Sequence, residues 1–72
     1  MAQILDTRGH LCPVPMIRAG KVLSRSPEGT EIEVISDDPG ILLDMPAFCD
    51  ANGYEYLGHE ERSGTYSLKV RR

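Results

Sequence analysis

Two prolines one residue apart, Pro13 and Pro15, constrain this chain more than any other pair of residues. Inside a helix a proline removes a hydrogen bond and clashes with the preceding turn, but in the first turn its missing N–H has no intrahelical partner to lose. The apolar residues that follow recur at helical spacing, which predicts a helix over residues 13–26 with Pro13 and Pro15 as its first and third members. Cys12 then takes the N-cap. Upstream, residues 3–6 carry Ile4 and Leu5 and run into the turn signal Thr7-Arg8-Gly9, which predicts a short strand. The stretch Leu5-Asp6-Thr7-Arg8-Gly9-His10-Leu11-Cys12-Pro13-Val14-Pro15 is therefore a strand-to-helix junction with a cysteine at the helix start.

That placement has chemical consequences. The positive end of a helix dipole favours the thiolate, the reactive form of cysteine. The two prolines remove donors that would serve an anion there, leaving mainly the N–H groups of Val14 and Cys12, so a modestly acidic, rigidly aimed thiol is expected. No second cysteine lies in Cys-Pro-Val-Pro, which excludes the local dithiol chemistry of a Cys-X-X-Cys pair. Asp6 is expected to accept loop N–H groups as an Asx turn and not to act as an acid or base, since a carboxylate beside the sulfur would disfavour the thiolate. His10, two residues before Cys12, is a candidate to steady a thiolate or move a proton.

Along the first helix, Met16, Ile17, Ala19, Gly20 and Leu23 form an apolar face expected to lie on a sheet, with Gly20 at a close approach to it. Arg18, Lys21 and Arg25 form a basic stripe on the opposite side, either a solvated face or a docking surface for an acidic partner. Residues 31–36 alternate charged and apolar side chains, as a strand buried on one face does. Asp37-Asp38-Pro39-Gly40 is a turn offering either aspartate as a cap, and without histidines or further spaced acids no metal is expected there. A second helix from Ile41 or Asp44 to Asn52, with Pro46 in its first turn or at a kink, puts Met45, Phe48 and Cys49 on one face. Cys49 then reads as a small buried hydrophobe; a resolving role toward Cys12 would need the two helix N-termini to meet at one end of the sheet. Residues 54–61 and 65–70 form a hairpin around Arg62-Ser63-Gly64, with His59 a surface or packed residue because no partner is spaced for it.

The order β-α-β-α-β-β predicts an α/β (α+β) two-layer sandwich: a mixed four-stranded sheet with two helices on one face, parallel pairs from right-handed crossovers, and a final antiparallel hairpin. At 72 residues one domain spanning 1–72 is expected, and a domain of this size buries only about 60% of its unfolded surface. Eleven acidic against eight basic residues, with one phenylalanine, three tyrosines and no tryptophan, argue against direct nucleic-acid binding. Two cysteines without a paired framework, and no apolar segment after Met1-Ala2-Gln3, lead to the expectation of a reduced, cytoplasmic protein with no membrane partner.

The junction resembles the TusA/SirA-type sulfur carriers, whose pattern is Leu-Asp-X-X-Gly-X-X-Cys-Pro-X-Pro opening the first helix. Leu5, Asp6, Gly9, Cys12, Pro13 and Pro15 match it, and Asp37-Asp38-Pro39 with Asp44-Met45-Pro46-Ala47-Phe48-Cys49 resembles the family's second block. The resemblance covers essentially the whole chain and implies the same mixed sheet with two helices on one face. It implies a sulfurtransferase that carries persulfide sulfur on Cys12, supported by Asp6, Gly9, His10, Pro13, Val14 and Pro15, with no cofactor. It further implies a cysteine desulfurase or rhodanese-like protein as donor and another sulfur-handling protein as acceptor, in tRNA thiolation, sulfur oxidation or cofactor sulfuration. His10, Leu11 and Val14 depart from the tRNA-pathway carriers, which resemble Leu-Arg at the first two positions and tend to place a glutamate at the third. The alternative is a thiol-dependent regulatory or protein-binding module in which Cys12 caps the helix or senses redox state without transferring sulfur.

Overall fold

The computed structural model describes residues 3–11 and 14–72. The elements are β1 (Gln3–Asp6), α1 (Val14–Ser24), β2 (Glu31–Ser36), α2 (Ile41–Asn52), β3 (Glu55–Arg62) and β4 (Thr65–Arg71). The expected β-α-β-α-β-β order is present, and the strands form one mixed four-stranded sheet. Pro15 is the second residue of α1, and the helix ends at Ser24, so Arg25 falls just past it.

The sheet order is β1-β2-β4-β3. Only β1 and β2 are parallel neighbours; β4 is antiparallel to both β2 and β3. This corrects the expectation of parallel pairs from both crossovers: β4 inserts between β2 and β3, and the α2 crossover carries the chain to the sheet's far edge. The physical reason lies in the two last strands. Leu68 and Val70 of β4 are fully buried, opposite Val34 and Ile32 of β2, whereas β3 ends in exposed Glu60, Glu61 and Arg62. A charged strand tolerates an edge, and there its charges deter pairing with other chains. A register shift between Tyr56 and Gly58 marks a bulge on the same strand. The hairpin closes through Ser63 and Gly64, both at positive φ (53° and 81°), the pattern of a two-residue type I′ turn.

One face of the sheet carries Leu5, Ile32, Val34, Leu68 and Val70, and α1 and α2 close it with Met16, Ala19, Leu23, Ile41, Met45 and Cys49. Each such large apolar side chain contributes about 1.5–3 kcal/mol relative to leaving it in water. The apolar face expected for α1 needs two corrections. Ile17 is 53% exposed. Gly20 approaches not the sheet but α2: a Cβ there would stand 3.0 Å from Phe48 Cζ. The two helices pack side by side at that point, and the missing side chain admits the ring.

Candidate functional site

The loop from β1 to α1 is the predicted site. Cys12 and Pro13 lie outside the described residues; the frame on either side of them is described. Thr7 anchors the exit from β1. It is completely buried, and both its N–H (2.7 Å) and its hydroxyl (2.6 Å) donate to the Ile35 carbonyl of β2. Next, Asp6 Oδ1 accepts the Arg8 N–H at 3.0 Å, the expected Asx turn. The Arg8 guanidinium returns to the same carboxylate through Nε (3.0 and 3.1 Å) and Nη2 (2.7 Å). The Arg8 side-chain hydrogen bonds, then the Arg8 N–H, hold the Asp6 carboxyl down at about 2. Asp6 is thus ionised throughout the neutral range, with its carboxylate engaged by Arg8.

Gly9 follows at φ +85°, with nothing within 4 Å of the place a Cβ would occupy. The backbone angle, and not lack of space, calls for glycine. Its N–H points to Asp37, 3.2 Å from each carboxylate oxygen. The His10 N–H donates to the Thr7 carbonyl at 3.2 Å, and its half-buried ring has no hydrogen-bond partner among the described residues. Beyond it Leu11 is 73% exposed. The Val14 N–H, expected to serve the sulfur, donates to the Leu11 carbonyl at 3.0 Å. Pro15 is buried under the first turn of α1.

The β1–α1 and β2–α2 junctions open at the same end of the sheet because β1 and β2 are parallel, and the Gly9–Asp37 bond joins them. Asp38, the other aspartate of the turn, accepts the Gly40 N–H at 3.0 Å, while α2 has no side-chain bond at its N-cap, Gly40. The two aspartates divide the work: Asp38 shapes its own turn and Asp37 reaches 28 residues back. Cys49 is 1% exposed, and burial pushes its thiol up to about 11. It is the ninth residue of α2, about 12 Å along the axis from Ile41 at helical rise, so the meeting of the two junctions does not bring it to the site. His59 is exposed, its Nδ1 3.0 Å from the Tyr56 hydroxyl.

Arg18 and Lys21 are exposed on α1 and Arg25 is exposed just beyond it. Among the described residues no hydrogen bond or ion pair joins them to Asp6 or Arg8, and along the chain they run away from the loop. Sequence reasoning missed three features. Thr7 is an ordinary turn threonine until its burial is seen, and Asp37 looks like a local cap. Leu43, 81% exposed on the first turn of α2, had a detectable signal: it stands two residues from each of the buried Ile41 and Met45, hence on the far side of the helix. Among the described residues no group of three or more His, Cys, Asp or Glu side chains is placed to hold a metal, and no helix is long and apolar enough to cross a membrane.

A two-layer β-α-β-α-β-β sandwich that displays its first strand-to-helix loop at the open end of a parallel strand pair is the class that fold and site define. The fold is shared with a SirA-like protein from Desulfitobacterium hafniense, at TM-score 0.83 and 24% identity over 94% of this chain and 93% of that one. The sulfur carrier protein TusA of Allochromatium vinosum is 34% identical over 70 residues, covering 97% of this chain and 92% of that protein. The sulfur carrier protein TusA of Pseudomonas aeruginosa is 39% identical over 70 residues, covering 96% and 87%. The family model for sulfurtransferase TusA matches residues 3–72, and the chain belongs to that family.

Proposed function

We propose that this protein relays sulfur as a persulfide on Cys12. The observation that carries the reading is the coincidence of the Leu5-Asp6-X-X-Gly9-X-X-Cys12-Pro13-X-Pro15 pattern with a loop fastened at the open end of the sheet, in a chain of the TusA family. The Cys12 thiolate attacks the terminal sulfur of a donor persulfide. A new S–S bond forms on Cys12, the donor's S–S bond breaks, and the donor cysteine leaves as its thiolate, so there is no net oxidation. A second thiolate later takes the terminal sulfur in the same way. Such exchange needs an accessible thiolate with a pKa near ambient pH and closely docked partners. The donor is a cysteine desulfurase or a rhodanese-like protein, and the acceptor is a protein thiolate in thiouridine synthesis, sulfur oxidation or cofactor sulfuration. In this reading His10 steadies the charge at the sulfur, and Arg18, Lys21 and Arg25 meet an acidic partner surface.

The test is the intact mass after incubation with a cysteine desulfurase and free cysteine. The expected result is a gain of one sulfur atom, reversed by dithiothreitol, absent in Cys12→Ser and kept in Cys49→Ala. No gain with either desulfurase or rhodanese-like donors would sink the relay and favour the regulatory module.

A further inference from the structure

We propose that Asp37, on the β2–α2 turn, is a positioning residue for sulfur transfer: it sets the aim of the loop that leads into Cys12 by holding the Gly9 N–H. The inference rests on the relay reading above. Two fastenings hold the loop to the exit of β2. The first, from Thr7 to the Ile35 carbonyl, continues the parallel ladder and fixes where β1 ends. The second, from Gly9 to both Asp37 oxygens at 3.2 Å, is made by a side chain and lies beyond the last β1–β2 backbone pair. Cys12 is three residues further along, so among the described residues Asp37 is the outermost side-chain anchor before the sulfur. The glycine conforms to this role, since its φ of +85° is demanded by the backbone and not by crowding.

Charge supports the same arrangement. Arg8 is paired with Asp6 and also feels the Asp37 carboxylate, so one cation lies in the field of two anions that come from different strand ends. Thiol–disulfide exchange between two folded proteins depends on which sulfur is reached and on access to it, and small misplacements of a reacting group are costly when both partners are docked. A small alkylating reagent approaches freely and does not sense that aim.

The experiment compares wild type, Asp37→Ala and Asp37→Asn in three readouts: sulfur transfer from a cysteine desulfurase, Cys12 alkylation by iodoacetamide against pH, and exchange of the Gly9 amide hydrogen. Asp37→Ala is expected to slow transfer about tenfold, with the alkylation rate within about twofold of wild type and its pH midpoint unmoved. Asp37→Asn keeps an oxygen acceptor for Gly9 and restores most of the transfer. The wild-type Gly9 amide exchanges about tenfold more slowly than in Asp37→Ala. Transfer as fast in Asp37→Ala as in wild type overturns the inference, as does an Asp37→Asn defect equal to that of alanine, or an alkylation loss that parallels the transfer loss. A Gly9 amide in wild type that exchanges like an unstructured chain overturns it even if Asp37→Ala fails to fold. If wild type takes up no sulfur on Cys12, the relay reading falls; if it does and Asp37→Ala matches it, only the positioning role falls.

Discussion

Asp6 and Arg8 form a closed unit within three residues, and the pair keeps both of its charges in the physiological range. The carboxyl is held at about 2, against an ordinary 3.8, first by the Arg8 side-chain hydrogen bonds. A depressed folded-state pKa means that the pair's contribution to stability is complete above the ordinary value and is lost as pH falls through the lowered one. Both side chains are exposed, so that contribution is small. A carboxyl NMR titration should place the Asp6 midpoint near 2, and in Arg8→Ala it should return toward 3.8; a midpoint unchanged by the substitution would contradict the pairing. Cys49 makes the opposite case. Burial, with a thiol pushed up to about 11, leaves it protonated and covered at pH 8. Cys12→Ser is therefore expected to take up no iodoacetamide label at pH 8 while folded and one label in urea; rapid labelling without urea would show that α2 opens.

Among the elements, the α1–α2 contact and the end of α1 are the places where a single change should be felt. Gly20 leaves 3.0 Å between a would-be Cβ and the Phe48 ring. Gly20→Val adds a branched side chain to that contact, and overpacking of this kind costs about 1–3 kcal/mol, measurable as a lower urea midpoint; an unchanged midpoint would mean that the ring turns aside freely. At the other end of α1, Arg72 Nη1 donates to the carbonyls of Leu23 and Ser24, each at 3.1 Å, and of Ser26. The Leu23 and Ser24 carbonyls close α1, where a helix runs out of intrahelical donors, and a cation there also suits the dipole. Arg72→Met should cost about 1 kcal/mol by the same measurement. Most elements were legible within their own residues, from the alternation in β2 to the helical spacing of Met16, Ala19 and Leu23 and the Asx turn at Asp6. What sequence did not show depends on distant partners. Nothing local says that Asp37 meets Gly9, that Thr7 is buried and bonded to the Ile35 carbonyl, or that Arg72 reaches the end of a helix 48 or more residues earlier. The place of β4 between β2 and β3 likewise follows from comparing the apolar content of two strands, not from either one.

For the whole molecule the distribution of charge matters more than its sum. The net charge is −3, yet Arg18 and Lys21 on α1 and Arg25 just beyond it are exposed, and so are Leu11 ahead of α1, Ile17 in its first turn and Leu43 in the first turn of α2. Under the proposed relay, exposed apolar side chains at the start of the two helices and cations along α1 would suit a partner with an acidic rim around its own sulfur. Electrostatic guidance of this kind acts on encounter and is screened by salt, with a Debye length of about 10 Å at 0.1 M. Sulfur transfer from a desulfurase should therefore slow as salt rises from 50 to 500 mM. The double variant Arg18→Glu/Lys21→Glu should lower kcat/KM about tenfold at low salt and lose that salt dependence. Its iodoacetamide reactivity at Cys12 should stay at the wild-type level, because the thiol itself is untouched. If the variant keeps the wild-type salt dependence, the stripe is only a solvated face, and the partner must read the apolar end of the molecule without it.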